Sequence, residues 1–254
     1  MRLRPYAYLL VAGLLQFQPL SAQESPQEAA EELLNMPPWL VEFSNLPREL
    51  RETYISTFNR AKLAFHQGRW IDCITLLAEC EVIQRGNPNV WNLRASCLLE
   101  QRYYAEAEAE LKRVLEVLPN DPVSLMNLSS VHMVGGRYAE SLAIVKRLRE
   151  DLYLQHKEDE LLYVLDYRAL LCHLLMGQTA QAKAIAGSVS PVSDTPLYYY
   201  AKVALALTEG NKKDAAYYQG VVRRIFANNG AFVPYERALA HSGLPEKPPV
   251  SRQQ

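Results

Sequence analysis

The sequence predicts an all-α protein made of about five stacked pairs of antiparallel helices, with an extra N-terminal helix and a short C-terminal capping helix. Three observations predict it. Aromatic residues at Trp70, Tyr104 and Tyr138 recur every 34 residues, within the aligned segments Gln67-Gly68-Arg69-Trp70, Gln101-Arg102-Tyr103-Tyr104 and Gly135-Gly136-Arg137-Tyr138. Three residues after each aromatic stands a small side chain, Cys73, Ala107 or Ser141, and four further on an aliphatic one, Leu77, Leu111 or Val145. Asn87-Pro88 and Asp121-Pro122 are also 34 apart, and Thr195-Pro196 lies 74 further on. A side-chain oxygen ahead of a proline is a helix start, because the oxygen satisfies an orphan amide and proline lacks one. A fixed period of this length means stacked helix pairs, in which small side chains let two backbones approach and the aromatic fills the space beside them.

The elements follow in order. Arg2 and Arg4 precede an apolar run from Tyr6 to Leu15 and the small pair Ser21-Ala22. That pattern predicts a signal peptide over residues 1–22, cut near Ala22-Gln23, since about ten apolar residues are too few for a membrane span. The mature protein is then periplasmic or secreted, with no stable membrane insertion. Residues 23–52 form an N-terminal helical segment and linker: Ser25-Pro26-Gln27-Glu28 is a capping box before a short acidic helix ending near Asn35, and Met36-Pro37-Pro38 breaks it. Leu46-Pro47 opens a helix that runs into the repeat region, 53–227. Its fourth unit, Gly177 to Ala186, follows after 41 residues and its fifth, Gly210 to Ala215, after 33. Thr179 and Lys212 replace the aromatic there, while the small residues Ala182 and Ala215 persist. The extra residues of the fourth spacing are placed around Tyr153 to Glu160. Residues 228–243 hold a short helix, Phe232 to His241, expected to cover the exposed end of the stack. Residues 244–254, polar and proline-rich, are expected to be a disordered tail.

Within the second repeat, Trp91, Ala95, Tyr104, Ala107 and Pro119 supply an aromatic, a small residue, an aromatic, a small residue and a terminal proline. On these residues and the 34-residue period, region 53–227 resembles the tetratricopeptide repeat proteins. The resemblance implies a right-handed α-solenoid whose first helices line a concave groove that holds a peptide or another protein, without a cofactor. In that family, positions 2, 5, 6, 9, 12 and 13 of each first helix tend to face the groove. Here they select Phe58, Asn59, Lys62, Phe65, Asn92, Leu93, Ser96, Leu99, Met126, Asn127, Ser130, Met133, Tyr167, Arg168 and Leu171. The subfamily that grips a terminal carboxylate uses asparagines and basic residues there, and Asn92, Asn127 and Arg168 stand at comparable places. Val123 and Phe58 occupy positions where that subfamily has lysines. Two alternatives stay open: an apolar groove open to a partner, or a face partly covered by the N-terminal helix.

Other chemistry finds no foothold. Removing Arg2 and Arg4 takes the formal charge from −1 to −3, and the basic residues are scattered, so nucleic acid is not the expected ligand. There is no HExxH, and His132 and His173 fall at one packing position of their helices, so no metal site is expected. No nucleophile elbow, phosphate loop or paired-carboxylate motif is present, and Gly187-Ser188-Val189-Ser190 reads as a turn. Glu100, Glu106, Glu108 and Glu110 read as a solvated face or as docking charges. The cysteines allow a disulfide between Cys73 and Cys97 or four thiols standing in for alanine. The expected function is therefore an exported interaction scaffold rather than an enzyme. The alternative is a chaperone-like holder of secreted or outer-membrane clients.

Overall fold

A computed structural model describes residues 36–154, 160–193 and 195–244, with side chains for all of these except 153 and 154. The expected signal peptide, the capping-box helix after Ser25 and the tail from 245 onward lie outside the described residues. Among the described residues there are twelve helices and no strand, so the chain is all-α. They are α1 Pro38–Asn45, α2 Arg48–His66, α3 Trp70–Ile83, α4 Pro88–Glu100, α5 Tyr104–Val117 and α6 Pro122–Val134. They continue as α7 Tyr138–Leu154, α8 Glu160–Leu175, α9 Thr179–Gly187, α10 Leu197–Thr208, α11 Lys212–Ile225 and α12 Val233–Ser242.

The polar residue before each proline does what its chemistry suggests. Asn87 Oδ1 accepts from the Asn89 amide at 3.0 Å, Asp121 Oδ2 from Ser124 at 2.7 Å, and Thr195 Oγ1 from Leu197 at 3.3 Å. Each satisfies an amide that the first turn of its helix leaves unpaired.

The joints α2–α3, α4–α5, α6–α7, α8–α9 and α10–α11 repeat one turn. In each, three successive amides bond back to carbonyls four, three and five residues earlier: Gln67 to Leu63, Gly68 to Phe65 and Arg69 to Ala64 at the first, Glu209 to Leu205, Gly210 to Leu207 and Asn211 to Ala206 at the last. The middle residue is left-handed every time, with φ of 71° at Gly68, 67° at Arg102, 75° at Gly136, 73° at Gly177 and 77° at Gly210. This closes orphan carbonyls at the end of one helix and reverses the chain into the next. The small residues that follow, Cys73, Ala107, Ser141, Ala182 and Ala215, are all buried in the first turn of the second helix. The fourth and fifth units lack the aromatic but keep the joint and the close approach.

Arg102 is the exception among the joints, because a Cβ in the left-handed region costs about 1–2 kcal/mol, partly offset by the lower entropy cost of ordering a non-glycine residue. Arg102→Gly should therefore stabilise the protein by about 0.5–1 kcal/mol, a rise of about 1–3 °C in Tm by circular dichroism.

The chain divides into two compact units between Ser124 and Leu125, within α6. In the first, α3 packs on α2 and α5 on α4, and a core of Tyr54, Phe58, Ala61, Phe65, Cys73, Leu77, Cys80, Val90, Leu93 and Cys97 joins α2, α3 and α4. Helix α1 was not expected, since Met36-Pro37-Pro38 reads as a breaker. Pro38 instead occupies the first position of α1, where a missing amide costs nothing. Its Phe43 meets the Tyr54 ring edge-on at 5.1 Å, and its Trp39 carbonyl accepts from Gln84 Nε2. An ion network ties α3, α4 and α5: Arg94 reaches Glu81 at 2.6 Å and Glu110 at 3.1 Å, while Arg113 pairs with Glu110 and lies 4.1 Å over the Trp91 ring. Glu110 is thus an internal pairing group rather than a free face charge.

In the second unit α8 is the hub, packed by α7, α9, α10 and α12. Helix α12 lies on α8 and, less extensively, on α10, with its Tyr235 ring 5.4 Å from Tyr167 and 5.4 Å from Tyr200. The physical reason is that α8 and α10 expose aromatic surface on one side, which Tyr235, Ala238 and Leu239 cover and are buried by.

Candidate functional site

Helix α2 is long enough to carry two stripes. One, Tyr54, Thr57, Phe58, Ala61, Ala64 and Phe65, faces the core. The other faces solvent: Glu52, Ile55, Ser56, Asn59, Arg60 and Leu63 line a shallow cleft of about 570 Å³. Spacings of three and four residues put all six on one side of the helix. Ile55 and Leu63 are 50% and 54% exposed, which leaves two branched side chains uncovered on one surface. Half-buried Lys62 stands beside them with its ammonium 5.7 Å from the Phe58 ring centroid, and burial lowers its pKa.

The expected groove positions mostly lie inside the protein. Phe58, Phe65, Leu93, Ser96, Leu99, Met126, Asn127, Ser130, Met133, Tyr167, Arg168 and Leu171 are all buried. Only Asn59, Lys62 and Asn92 retain surface, and Asn92 Nδ2 is committed to Asp121 at 3.2 Å. The reasons are local. Phe58 stacks at 6.2 Å on Tyr54, which also carries Phe43 of α1. Ser130 and the backbone of Met126 are held by Arg168, and the Tyr167 ring is covered by α10 and α12. In the first unit α1 covers only the surroundings of Phe58, through Phe43 and Tyr54, and in the second unit the positions named are covered by α8, α10 and α12 and not by the N-terminal helix. The groove rule that takes Phe58 as its fifth position has Ile55 as its second, so the rule reaches Ile55. The outward spacing 55, 59, 63 was the signal for the rest of the stripe.

Arg168 is buried, yet no ion pair to a carboxylate is found for it among the described residues. Its Nη1 donates to the Met126 carbonyl at 3.1 Å, Ser129 Oγ at 2.9 Å and Ser130 Oγ at 2.7 Å, and its Nε has no partner. Burial lowers its pKa to about 10, so it stays charged at neutral pH. Nearby, the Tyr167 hydroxyl and His241 Nδ1 are buried without hydrogen bonds, while the Tyr200 hydroxyl has the Glu236 carboxylate of α12 beside it.

His241 feels that charge. Burial, then Arg168 and Arg237, lower its pKa to about 3, so the folded protein holds it neutral. The unfolded chain binds a proton near the ordinary histidine value, so this contribution to stability is complete above about pH 6.5 and is lost as pH falls toward 3. Urea unfolding of His241→Gln should show a shallower loss of stability between pH 6 and 4 than the parent, by up to about 1.4 kcal/mol per pH unit.

No protein-family model matches the chain, and no curated protein is similar to it at a significant level. The reading therefore rests on the residues alone. Among the described residues no group of three His, Cys, Asp or Glu could hold a metal ion, and no helix is long and apolar enough to cross a membrane. All four cysteines are free and buried. Burial raises the Cys80 pKa to about 12, and a hydrogen bond with Cys73 followed by burial raises that of Cys97, so neither is a thiolate at neutral pH. His132 Nδ1 lies 3.7 Å from Glu140, and His173 Nδ1 2.6 Å from Gln178 Oε1, both contacts with the helix or turn that follows.

Proposed function

We propose that the chain is an exported tetratricopeptide-type scaffold, a right-handed α-solenoid of about five helix pairs, that binds a peptide or protein segment and catalyses no reaction. The repetition of one joint at five places, with a buried small residue after each, supports the architecture. The observation that carries the function is the outward stripe of α2, where Ile55 and Leu63 are uncovered beside Asn59 and Lys62. Apolar side chains flanked by an amide and cations suit an extended or helical segment with apolar anchors.

The test is the double substitution Ile55→Glu, Leu63→Glu. Exposed positions tolerate charge, so Tm and helicity should change by the equivalent of less than about 0.5 kcal/mol for each substitution. Pull-down from an envelope fraction should lose a stoichiometric partner that the parent chain retains. A partner kept by the double variant would place the site elsewhere on the protein, and many unfolded clients in place of one partner would favour the holder.

A further inference from the structure

We propose that residues 26–35 dock as a helix along the outward stripe of α2, in the place that α3 takes on α4, and that a partner gains the stripe by displacing them. The inference rests on the reading of this stripe as the binding surface, and adds what covers it between partners.

The repeat itself marks the stripe as a stacking face. Ser56, Asn59, Arg60 and Leu63 of α2 stand 34 residues before Val90, Leu93, Arg94 and Cys97 of α4. In α4 that face is packed: Val90, Leu93 and Cys97 are buried in one core with Cys73, Leu77 and Cys80 of α3. At its edge Arg94 reaches Glu81 of α3 at 2.6 Å. In α2 all four positions are exposed, and the cleft over them is lined by α2 alone. Arg60 has no ion pair among the described residues, whereas Glu52, the acid of the same stripe, is already paired with Arg48 at 2.8 Å. Helix α2 therefore presents the face on which a preceding helix stacks, with a cation waiting at its edge.

The segment ahead of α1 has the composition such a helix needs. Ala29, Ala30, Leu33 and Leu34 share one side of a helix through spacings of three and four, mixing small and large residues as Cys73, Leu77 and Cys80 do on α3. Glu28, Glu31 and Glu32 take the other side and its edges, and no Lys or Arg occurs between Arg4 and Arg48. A glutamate on Arg60 would repeat the Arg94–Glu81 pair. Ten helical residues span about 15 Å, enough for the roughly 12 Å from Ile55 to Leu63. Trp39 docks at Gln84 and Phe43 at Tyr54, so the chain enters α1 beside the N-terminal end of α2. A helix ending at Asn35 then finishes near the start of α2, as α3 finishes just ahead of α4.

The probe is a fluorescein-labelled synthetic peptide of residues 24–36, titrated against the full chain by anisotropy. A stripe covered nine-tenths of the time binds a competitor about tenfold more weakly than an open one. Leu33→Glu with Leu34→Glu in the chain spoils the apolar side of its own segment, and should raise peptide affinity by about that factor over the parent. Adding Ile55→Glu and Leu63→Glu should abolish the binding, and adding Arg60→Gln instead should weaken it about threefold. Circular dichroism should give the same Tm throughout, since every substitution in α2 is at an exposed position. In the parent, hydrogen exchange read by mass spectrometry should show amides 29–35 exchanging about tenfold more slowly than in the free peptide at every protein concentration, with that protection lost in the Ile55→Glu, Leu63→Glu variant. Exchange at the free-peptide rate, or equal peptide affinity in the parent and the Leu33→Glu, Leu34→Glu variant, overturns the proposal. Protection that appears only as concentration rises assigns the stripe to a second copy of the chain and overturns it too. No envelope partner enters these measurements, so their failure leaves the scaffold reading standing, while partner retention by the Ile55 and Leu63 variant sinks that reading independently.

Discussion

Met126→Glu combined with Met133→Glu should unfold the second unit at neutral pH. Two methionines seven residues apart share one face of α6, and on the groove rule that face would meet a partner. Both are instead buried, at 3% and 1% exposure. A glutamate there must either bury a charge or take up a proton, and protonating it at pH 7 costs about 4 kcal/mol for each site. Leaving its polar atoms unpaired adds about 1–3 kcal/mol more. The sum approaches the whole stability of a typical domain, about 5–15 kcal/mol. Circular dichroism and urea unfolding should therefore show a partly melted chain at 25 °C. An unchanged Tm would mean that both thioethers face solvent and that the burial of this face is wrong.

Arg168→Met should raise stability by about 1–4 kcal/mol, the size seen when buried charges give way to well-packed apolar side chains. The guanidinium leaves water for three neutral acceptors and keeps an unpaired Nε. Removing it orphans little, because Ser129 and Ser130 both donate to the Met126 carbonyl without it, at 2.8 and 3.3 Å. Methionine fills the stem's space and adapts to irregular gaps. Urea unfolding followed by circular dichroism reads the change. A loss of more than about 1 kcal/mol would show that Arg168 has a compensating partner in the folded protein. A stabilised variant would mark Arg168 as a residue whose presence folding does not explain.

The local signals in the sequence carried through to backbone geometry. Asn87, Asp121 and Thr195 cap because a short side-chain oxygen can reach the amides of the next turn, whatever packs around it. Gly68, Gly136, Gly177 and Gly210 sit where only a left-handed residue turns one helix into the next, and the 34-residue spacing is the length of two such helices with their joints. The misreadings came from neighbours remote in sequence. Met36-Pro37-Pro38 reads as a breaker in the sequence, and only the docking of the helix through Phe43 and Trp39 shows that Pro38 starts one.

By itself, then, the sequence determined that this protein is helical, where the helices after Asn87, Asp121 and Thr195 begin, and which small residues let helices approach. Those properties depend on contacts within one or two turns. Which face of each first helix meets solvent was decided by the tertiary structure alone. Groove positions taken from the tetratricopeptide resemblance cannot register that α12 returns to cover Tyr167, or that Arg168 reaches across 38 to 42 residues to Met126, Ser129 and Ser130. Periodicity places a side chain on one side of its own helix, and burial depends on what else arrives there.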